Sequence, residues 1–112
     1  MSLEENKALV RRHKEAANQL DFRVFDEVLH PDFVITTRNR TIHGLEEYKR
    51  IVQEEVSKSG AFHFTIQDVV AEGDQVACTW LWHQTKDGQE KNNVGISLLR
   101  IAGGKIIEER YW

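Results

Sequence analysis

The sequence lacks the features that mark several large classes of protein. It contains one cysteine and one proline, and it has no apolar run near the ~18–20 residues that a membrane-spanning helix needs. The single cysteine, Cys78, cannot form an internal disulfide, and the N-terminus carries no apolar segment typical of a signal peptide. We therefore expect a cytoplasmic protein that does not act at a membrane.

An excess of basic residues is also missing. The 112 residues include 15 Lys and Arg against 18 Asp and Glu, which gives a net charge of -3. Binding to a phosphate backbone needs clustered Lys and Arg, so nucleic acid is not an expected partner. Apolar residues make up 40% of the chain, which is enough for one hydrophobic core. We expect a single domain over residues 1–112.

Three amphipathic helices are predicted in the first half of the chain. Apolar and small residues recur at helical spacing over Leu3–Leu20, with charged residues between them. Asp21 is a candidate N-cap for a second helix, which Pro31 would end. A third apolar stripe predicts a helix that follows Gly44 and ends near Gly60.

The rest of the chain has the two-residue period of strands. A first strand is predicted over Asp32–Arg38, with a short return through Thr41–His43. Four further strands are predicted, at Ala61–Ala71, Gln75–Lys86, Asn92–Ile101 and Lys105–Trp112. Glycine-bearing connectors separate these four, which favours an antiparallel meander. The expected fold is α+β, in which the N-terminal helices pack on a curved antiparallel sheet to form a cone or α+β barrel.

The order and spacing of several short segments carry a resemblance to a known family. They are Asn6–Arg12, Pro31–Val34, His43–Leu45, Phe64–Asp68, Glu72–Ala77 with Trp80, Arg100–Ile101 and Gly104–Glu108. Together they resemble the nuclear transport factor 2-like superfamily, and within it the SnoaL-like polyketide cyclase and ester cyclase branch. The resemblance implies a cystatin-like cone, an apolar pocket for a small hydrophobic molecule of polyketide or steroid type, and a homodimer formed through the sheet.

The sequence departs from that family where the cyclases carry their catalytic groups. Thr36 or Thr37 stands where the resemblance implies a histidine on the first strand. A Gly-Thr-His element is replaced by Gln84–Lys86, and a late aspartate would fall beyond Trp112. Either the cyclase groups are missing, or the natural polypeptide is longer than this chain. Whether the protein is an enzyme therefore stays open.

Ketosteroid isomerase, a relative in the same superfamily, provides a second comparison. Its tyrosine, its base and its acid correspond to His13, Thr37 and Ser97 in this sequence. The isomerase mechanism needs a carboxylate base and an oxyanion hole built from an aromatic hydroxyl and a protonated acid. These three residues cannot repeat it.

Two residues remain as catalytic candidates. His13 lies on the apolar stripe of the first helix, so its ring either faces the cavity or packs as a core histidine. Asp68 lies at an expected bulge in its strand and is the best internal carboxylate, although it could also be a solvated acid. Candidate ligand-binding residues are Thr37, Tyr48, Trp80, Trp82, Ser97 and Arg110. The remaining histidines lack ligand spacing, and no cofactor motif occurs, so we expect neither metal nor cofactor.

Two functional hypotheses follow. In the first, an apolar cavity with His13 at its floor binds a small hydrophobic molecule and acts on it by acid–base catalysis with His13 and Asp68. In the second, the chain is a non-catalytic association module whose sheet packs against a second copy through Trp80, Trp82 or Trp112. Both are compatible with a homodimer.

Overall fold

The computed structural model describes residues 2–112, which form three helices and six strands. The helices are α1 Leu3–Gln19, α2 Phe22–Val28 and α3 Leu45–Ser59. The strands are β1 Leu29–Thr36, β2 Thr41–His43, β3 Phe62–Glu72, β4 Gln75–Lys86, β5 Gln89–Ala102 and β6 Lys105–Tyr111. No helix in this part of the chain is long and apolar enough to cross a bilayer.

The helix ends follow from side chains that satisfy free backbone groups. Ser2 and Glu5 form a capping box at the start of α1, in which each side chain accepts a hydrogen bond from the other residue's backbone N–H. The Asp21 carboxylate accepts from the Val24 backbone N–H, so the predicted N-cap of α2 is correct.

The six strands form one mixed sheet in the order β2-β1-β6-β5-β4-β3. The predicted antiparallel meander from β3 to β6 is confirmed. The sheet is not wholly antiparallel, because β1 pairs in parallel with β6. Pro31 does not follow the helix as predicted but lies within β1, where the register shifts between Leu29 and Val34 and no ladder hydrogen bond needs its nitrogen.

The β4–β5 hairpin is longer than predicted. β5 begins at Gln89, three residues before the predicted Asn92. The connection is the two-residue turn Asp87-Gly88, whose φ angles of 53° and 76° match the twist of paired strands. The result is a long hairpin that extends the inner face of the sheet toward one end of the molecule.

One face of the sheet packs against the helices and the other faces outward. Val76, Cys78 and Trp80 of β4 lie in the buried core with Val10 of α1 and Phe33 of β1. Trp82 shares their face and is half-buried. The sequence left open which face carries Trp80 and Trp82; their parity points both inward, so neither can anchor a partner that packs on the outer face. Trp112 is 53% exposed.

Candidate functional site

A group of polar side chains lies buried between the helices and the inner face of the sheet. Its members, which we call the buried centre, are His13, Lys14, Tyr48, Trp80, Ser97 and Glu109. Each is less than a tenth exposed, and His13, Ser97 and Glu109 have no accessible surface at all. Buried polar groups in an apolar core are destabilising unless they are paired, so the contacts within this group decide what it can do.

One half of the buried centre is a chain of hydrogen bonds that ends on a carboxylate. Lys14 Nζ donates to Glu109 Oε2 over 2.6 Å, and Ser97 Oγ donates to the same oxygen over 2.8 Å. Trp80 Nε1 donates to Ser97 Oγ over 2.9 Å. Burial raises the pKa of Glu109, but the charge of Lys14 and the hydrogen bonds from Lys14 and Ser97 lower it by more, so the pKa lies below its ordinary value. Glu109 is therefore ionised at neutral pH.

The other half is a histidine surrounded by aromatic rings. His13 Nε2 lies 3.1 Å from the Tyr48 hydroxyl oxygen, and its ring packs edge-on against Phe25 and Phe33. Burial, followed by the charge of Lys14, lowers the pKa of His13 to about 3, although Glu109 acts in the opposite sense. The imidazole is therefore neutral. Burial also raises the pKa of Tyr48, so its hydroxyl keeps its proton.

The two halves approach each other without a hydrogen bond. His13 Nδ1 and Glu109 Oε1 are 3.9 Å apart, and neither atom has a hydrogen-bond partner among the described residues. A carboxylate repels the lone pair of an imidazole nitrogen and attracts its N–H, so we place the His13 proton on Nδ1. Tyr48 then donates its hydroxyl proton to Nε2. The order Glu109, His13, Tyr48 is thus carboxylate, imidazole and hydroxyl.

The structure brings together four of the eight residues nominated from the sequence. His13, Tyr48, Trp80 and Ser97 belong to the buried centre. Trp82 lies on the same face of β4, farther toward the end of the hairpin.

The other three nominated residues lie outside the buried centre. The expected bulge at Asp68 is present, but its side chain is exposed and accepts a hydrogen bond from Thr79. Thr37 lies in the β1–β2 turn, where its hydroxyl bonds the backbone of Arg40. Arg110 is on the outer face, 3.9 Å from Glu108. Neither Asp68, Thr37 nor Arg110 makes a hydrogen bond or ion pair with a residue of the buried centre.

Sequence reasoning missed Lys14 and Glu109. Lys14 is one of the charged residues that the helical spacing places between the apolar positions of α1, and a lysine is seldom fully buried unless it is paired. The β5–β6 register shifts between Arg100 and Ile101, so Ile106 and Glu109 both point inward although their numbers differ in parity. The only sign of this shift in the sequence is the adjacent pair Ile106 and Ile107. A regular strand would place these two apolar side chains on opposite faces.

The cavity predicted beside His13 is not found. Because His13 has no accessible surface, no void large enough for a water molecule touches its ring. Two depressions lie at the surface instead, and neither is lined by His13. The first, of about 280 Å³, lies between α1 and β3 and is bordered by Lys14, Asn18 and Phe64. Among residues 2–112, no cluster of three or more side chains suited to a metal ion occurs.

Comparison with solved structures shows the fold. A candidate SnoaL-like polyketide cyclase from Jannaschia sp. CCS1 is 21% identical, with a TM-score of 0.86 over 98% of this chain and 85% of that one. An LEH-like epoxide hydrolase from M. tuberculosis is 18% identical, with a TM-score of 0.87 over 97% and 82%. A protein of unknown function with a cystatin-like fold from Xanthomonas campestris is 24% identical, with a TM-score of 0.85 over 96% and 88%.

Sequence comparison identifies the family. No functionally curated protein is similar enough in sequence to match this chain. The sequence pattern of the SnoaL-like domain does match, over residues 10–109, which include every member of the buried centre. The helices, the curved sheet and this match together establish that the chain belongs to the SnoaL-like domain family within the NTF2-like fold.

Proposed function

We propose that this domain binds a small, neutral, largely apolar molecule between its helices and the inner face of its sheet, and that Glu109, His13 and Tyr48 exchange a proton with it. The observation that carries the proposal is the pair of unpaired buried atoms, His13 Nδ1 and Glu109 Oε1. Ionisable groups that are buried, shifted in pKa and incompletely paired concentrate at functional sites rather than in purely structural cores.

The charges and surroundings of the buried centre support a neutral ligand. The charge of Lys14 offsets that of Glu109, so no net charge remains to attract an ion. Phe25 and Phe33 provide the apolar walls. Tyr48 is the one member of the triad that keeps accessible surface, so it is the member that a ligand would meet first. A polyketide or steroid fragment with one carbonyl has this chemistry.

Proton transfer requires the site to open. In the closed structure burial is the main reason that the pKa of His13 is low. Admission of a ligand with its water would relieve that burial and bring the pKa of His13 back toward neutrality, where imidazole works best as a base. Tyr48 could then pass its proton to His13 while Glu109 stabilises the imidazolium, in the manner of a carboxylate–imidazole–hydroxyl triad.

The proton-transfer step can be tested with 5-nitrobenzisoxazole, a small neutral aromatic compound. A base removes its ring C–H proton, the N–O bond breaks, and a coloured nitrophenolate forms. We expect the wild-type protein to accelerate this reaction, and we expect His13→Gln and Glu109→Gln to lose most of the acceleration. Asp68→Asn should retain it, because Asp68 is exposed and bonded to Thr79.

Two outcomes would count against this assignment. Equal rates with wild type and His13→Gln would exclude the buried histidine as part of the base. A loss of rate confined to Asp68→Asn would instead support the carboxylate nominated from the sequence.

A second candidate function, association with a second copy of this chain, is supported by the outer face of the sheet. Leu81, Val94 and Ile96 lie there side by side and are 39%, 76% and 46% exposed. Side chains of both signs, Asp68 and Arg110, lie at the margin of this apolar patch. Monomeric proteins seldom expose such patches, and an apolar patch with both charges at its edge is complementary to its own two-fold copy.

Light scattering coupled to size exclusion tests the association. We expect the wild-type chain to have twice its own mass of 13.0 kDa, and Val94→Lys to have that mass once. Leu3→Lys is the matched control, since Leu3 is also exposed but lies on α1, away from the sheet. A monomeric wild type, or a Val94→Lys protein that remains a dimer, would rule out this interface.

A further inference from the structure

The inner face of the sheet becomes exposed toward one end. Along β4, accessibility rises from Val76 and Cys78 through Trp80 to the half-buried Trp82. Across the sheet, Ser97 of β5 and Glu109 of β6 are fully buried, whereas Gly95 and Tyr111, two residues farther toward the same end, are half-buried. On β5 and β6 the buried centre therefore lies one inward-facing position below a half-buried end. On β4 the half-buried Trp82 is followed by Gln84, which is buried again and donates a hydrogen bond to the Gly60 carbonyl.

Helix α3, which packs mainly on β1 and also contacts β4, shows the same gradient. Leu45, Tyr48 and Val52 of α3 are buried, and Val56, on the same stripe one turn later, is half-buried. We call Val56, Trp82, Gly95 and Tyr111 the rim. Within the buried centre, Tyr48 and Trp80 keep accessible fractions of 8% and 6%, whereas His13 has none. Lys14 keeps 5%, so the centre approaches solvent both on its rim side and at the depression between α1 and β3.

Tyr111 is a rim residue whose side chain packs directly against the buried centre. It follows Glu109 on the inner face of β6, it pairs with Ser97 across the sheet, and its ring packs edge-on against Trp80 at 5.7 Å. Burial and then the charge of Glu109 raise the pKa of Tyr111, while Arg40 and Glu55 act on it in opposite senses. Arg40 and Glu55 form an exposed ion pair of 3.7 Å between the β1–β2 turn and α3.

The opposite side of the buried centre is held shut more firmly. There Asn18 of α1 bonds both backbone groups of Phe64, donating to its carbonyl over 2.9 Å and accepting from its N–H over 2.6 Å. Lys14 borders the surface depression on this side and forms an ion pair with Glu109. Opening on this side would break two hydrogen bonds and a buried ion pair, whereas a rotation of Tyr111 breaks no hydrogen bond recorded for its side chain.

We propose that Tyr111 is the movable side chain that closes the entrance to the buried centre, and that a neutral apolar molecule enters past it between α3 and the ends of β4 and β6. This inference rests on the proposed function, because it concerns the entrance to the same site. Arg40 and Glu55 lie beside the entrance with opposite charges, which again favours a ligand without net charge. Tyr111 acts through its bulk, so its ring matters and its hydroxyl does not.

The rate of probe binding tests the role of Tyr111. N-phenyl-1-naphthylamine is neutral and fluoresces in apolar surroundings, so stopped-flow mixing reports its entry, and a Val94→Lys background removes binding to the outer face. The Val94→Lys protein is the parent in this experiment. If only ~0.1–10% of its molecules are open at any time, adding Tyr111→Ala should make probe binding at least about tenfold faster than in the parent. Tyr111→Phe, which keeps the ring, and Asn18→Ala, on the opposite side, should bind at the parent rate.

The outcomes separate the entrance from the site. Binding by the parent at the same rate as Tyr111→Ala, or faster binding only by Asn18→Ala, overturns the role of Tyr111 and leaves the site standing. Failure of every variant to bind overturns the proposed function itself. If Tyr111→Ala does not fold by circular dichroism, Tyr111→Leu, which keeps an apolar contact with Trp80, takes its place.

Discussion

The buried His13 should make the stability of the protein depend on pH in a way that one substitution removes. The unfolded chain takes up a proton on this histidine below pH 6.5, whereas the folded chain does so only near pH 3. Between these values the folded state binds fewer protons, so the free energy of unfolding falls as the pH falls. Each pH unit corresponds to about 1.4 kcal/mol, so the two units down to pH 4.5 amount to about 3 kcal/mol.

Urea unfolding at intervals from about pH 7.5 to 4.5 measures this effect. We expect the free energy of unfolding of wild type to fall by about 3 kcal/mol more than that of His13→Gln over this range. The comparison stops at pH 4.5 because Glu109, whose pKa is lowered from 4.5, adds a loss of the same sign below it. His63→Gln, on the exposed face of β3, is the control and should keep the wild-type slope. If the free energy of unfolding depended on pH in the same way in wild type and His13→Gln, the claim that burial lowers the pKa of His13 would be refuted.

Two further substitutions test the packing of the buried centre. Glu109→Gln leaves the Lys14 ammonium buried without its counter-ion, so urea unfolding should show a free energy of unfolding lower by about 3–5 kcal/mol. The double change Lys14→Met with Glu109→Leu removes both charges and should lower it less. An unchanged stability in Glu109→Gln would contradict the ion pair. Gly95→Ala would place a methyl group against the Trp80 ring and the Trp112 carbonyl, so it should cost about 1–3 kcal/mol and shift the tryptophan emission. Wild-type emission and stability would show that the indole does not lie on Gly95.

The fold could be predicted from the sequence because its signals are local. Helical spacing, Asp21 as a cap and the glycine-bearing turns each depend on a few neighbouring residues, and the antiparallel meander follows from them. The parallel pairing of β1 with β6 could not be predicted, since it joins strands that are far apart in the chain. The sequence predicts Pro31 as a helix end because a bulge that accommodates proline has no clear sequence signal.

The site was predictable only in part, for a different reason. His13, Tyr48 and Ser97 lie on regular stripes that point inward, so periodicity or homology found them. Glu109 was missed because a register shift changes the parity of β6, and Asp68 was preferred although its own bulge turns it outward. The cavity was overestimated because its volume depends on how far Phe25, Phe33 and Tyr48 fill the cone, and that cannot be summed from the sequence.

The claim on which the proposed function depends is that the interior around His13 opens to admit a ligand. A crystal structure of the protein soaked with N-phenyl-1-naphthylamine tests it directly. We expect the probe to lie against Tyr48 and Trp80, with the Tyr111 ring turned away from its contact with Trp80. A probe found only on the outer face, over an interior unchanged and closed around His13, would contradict it.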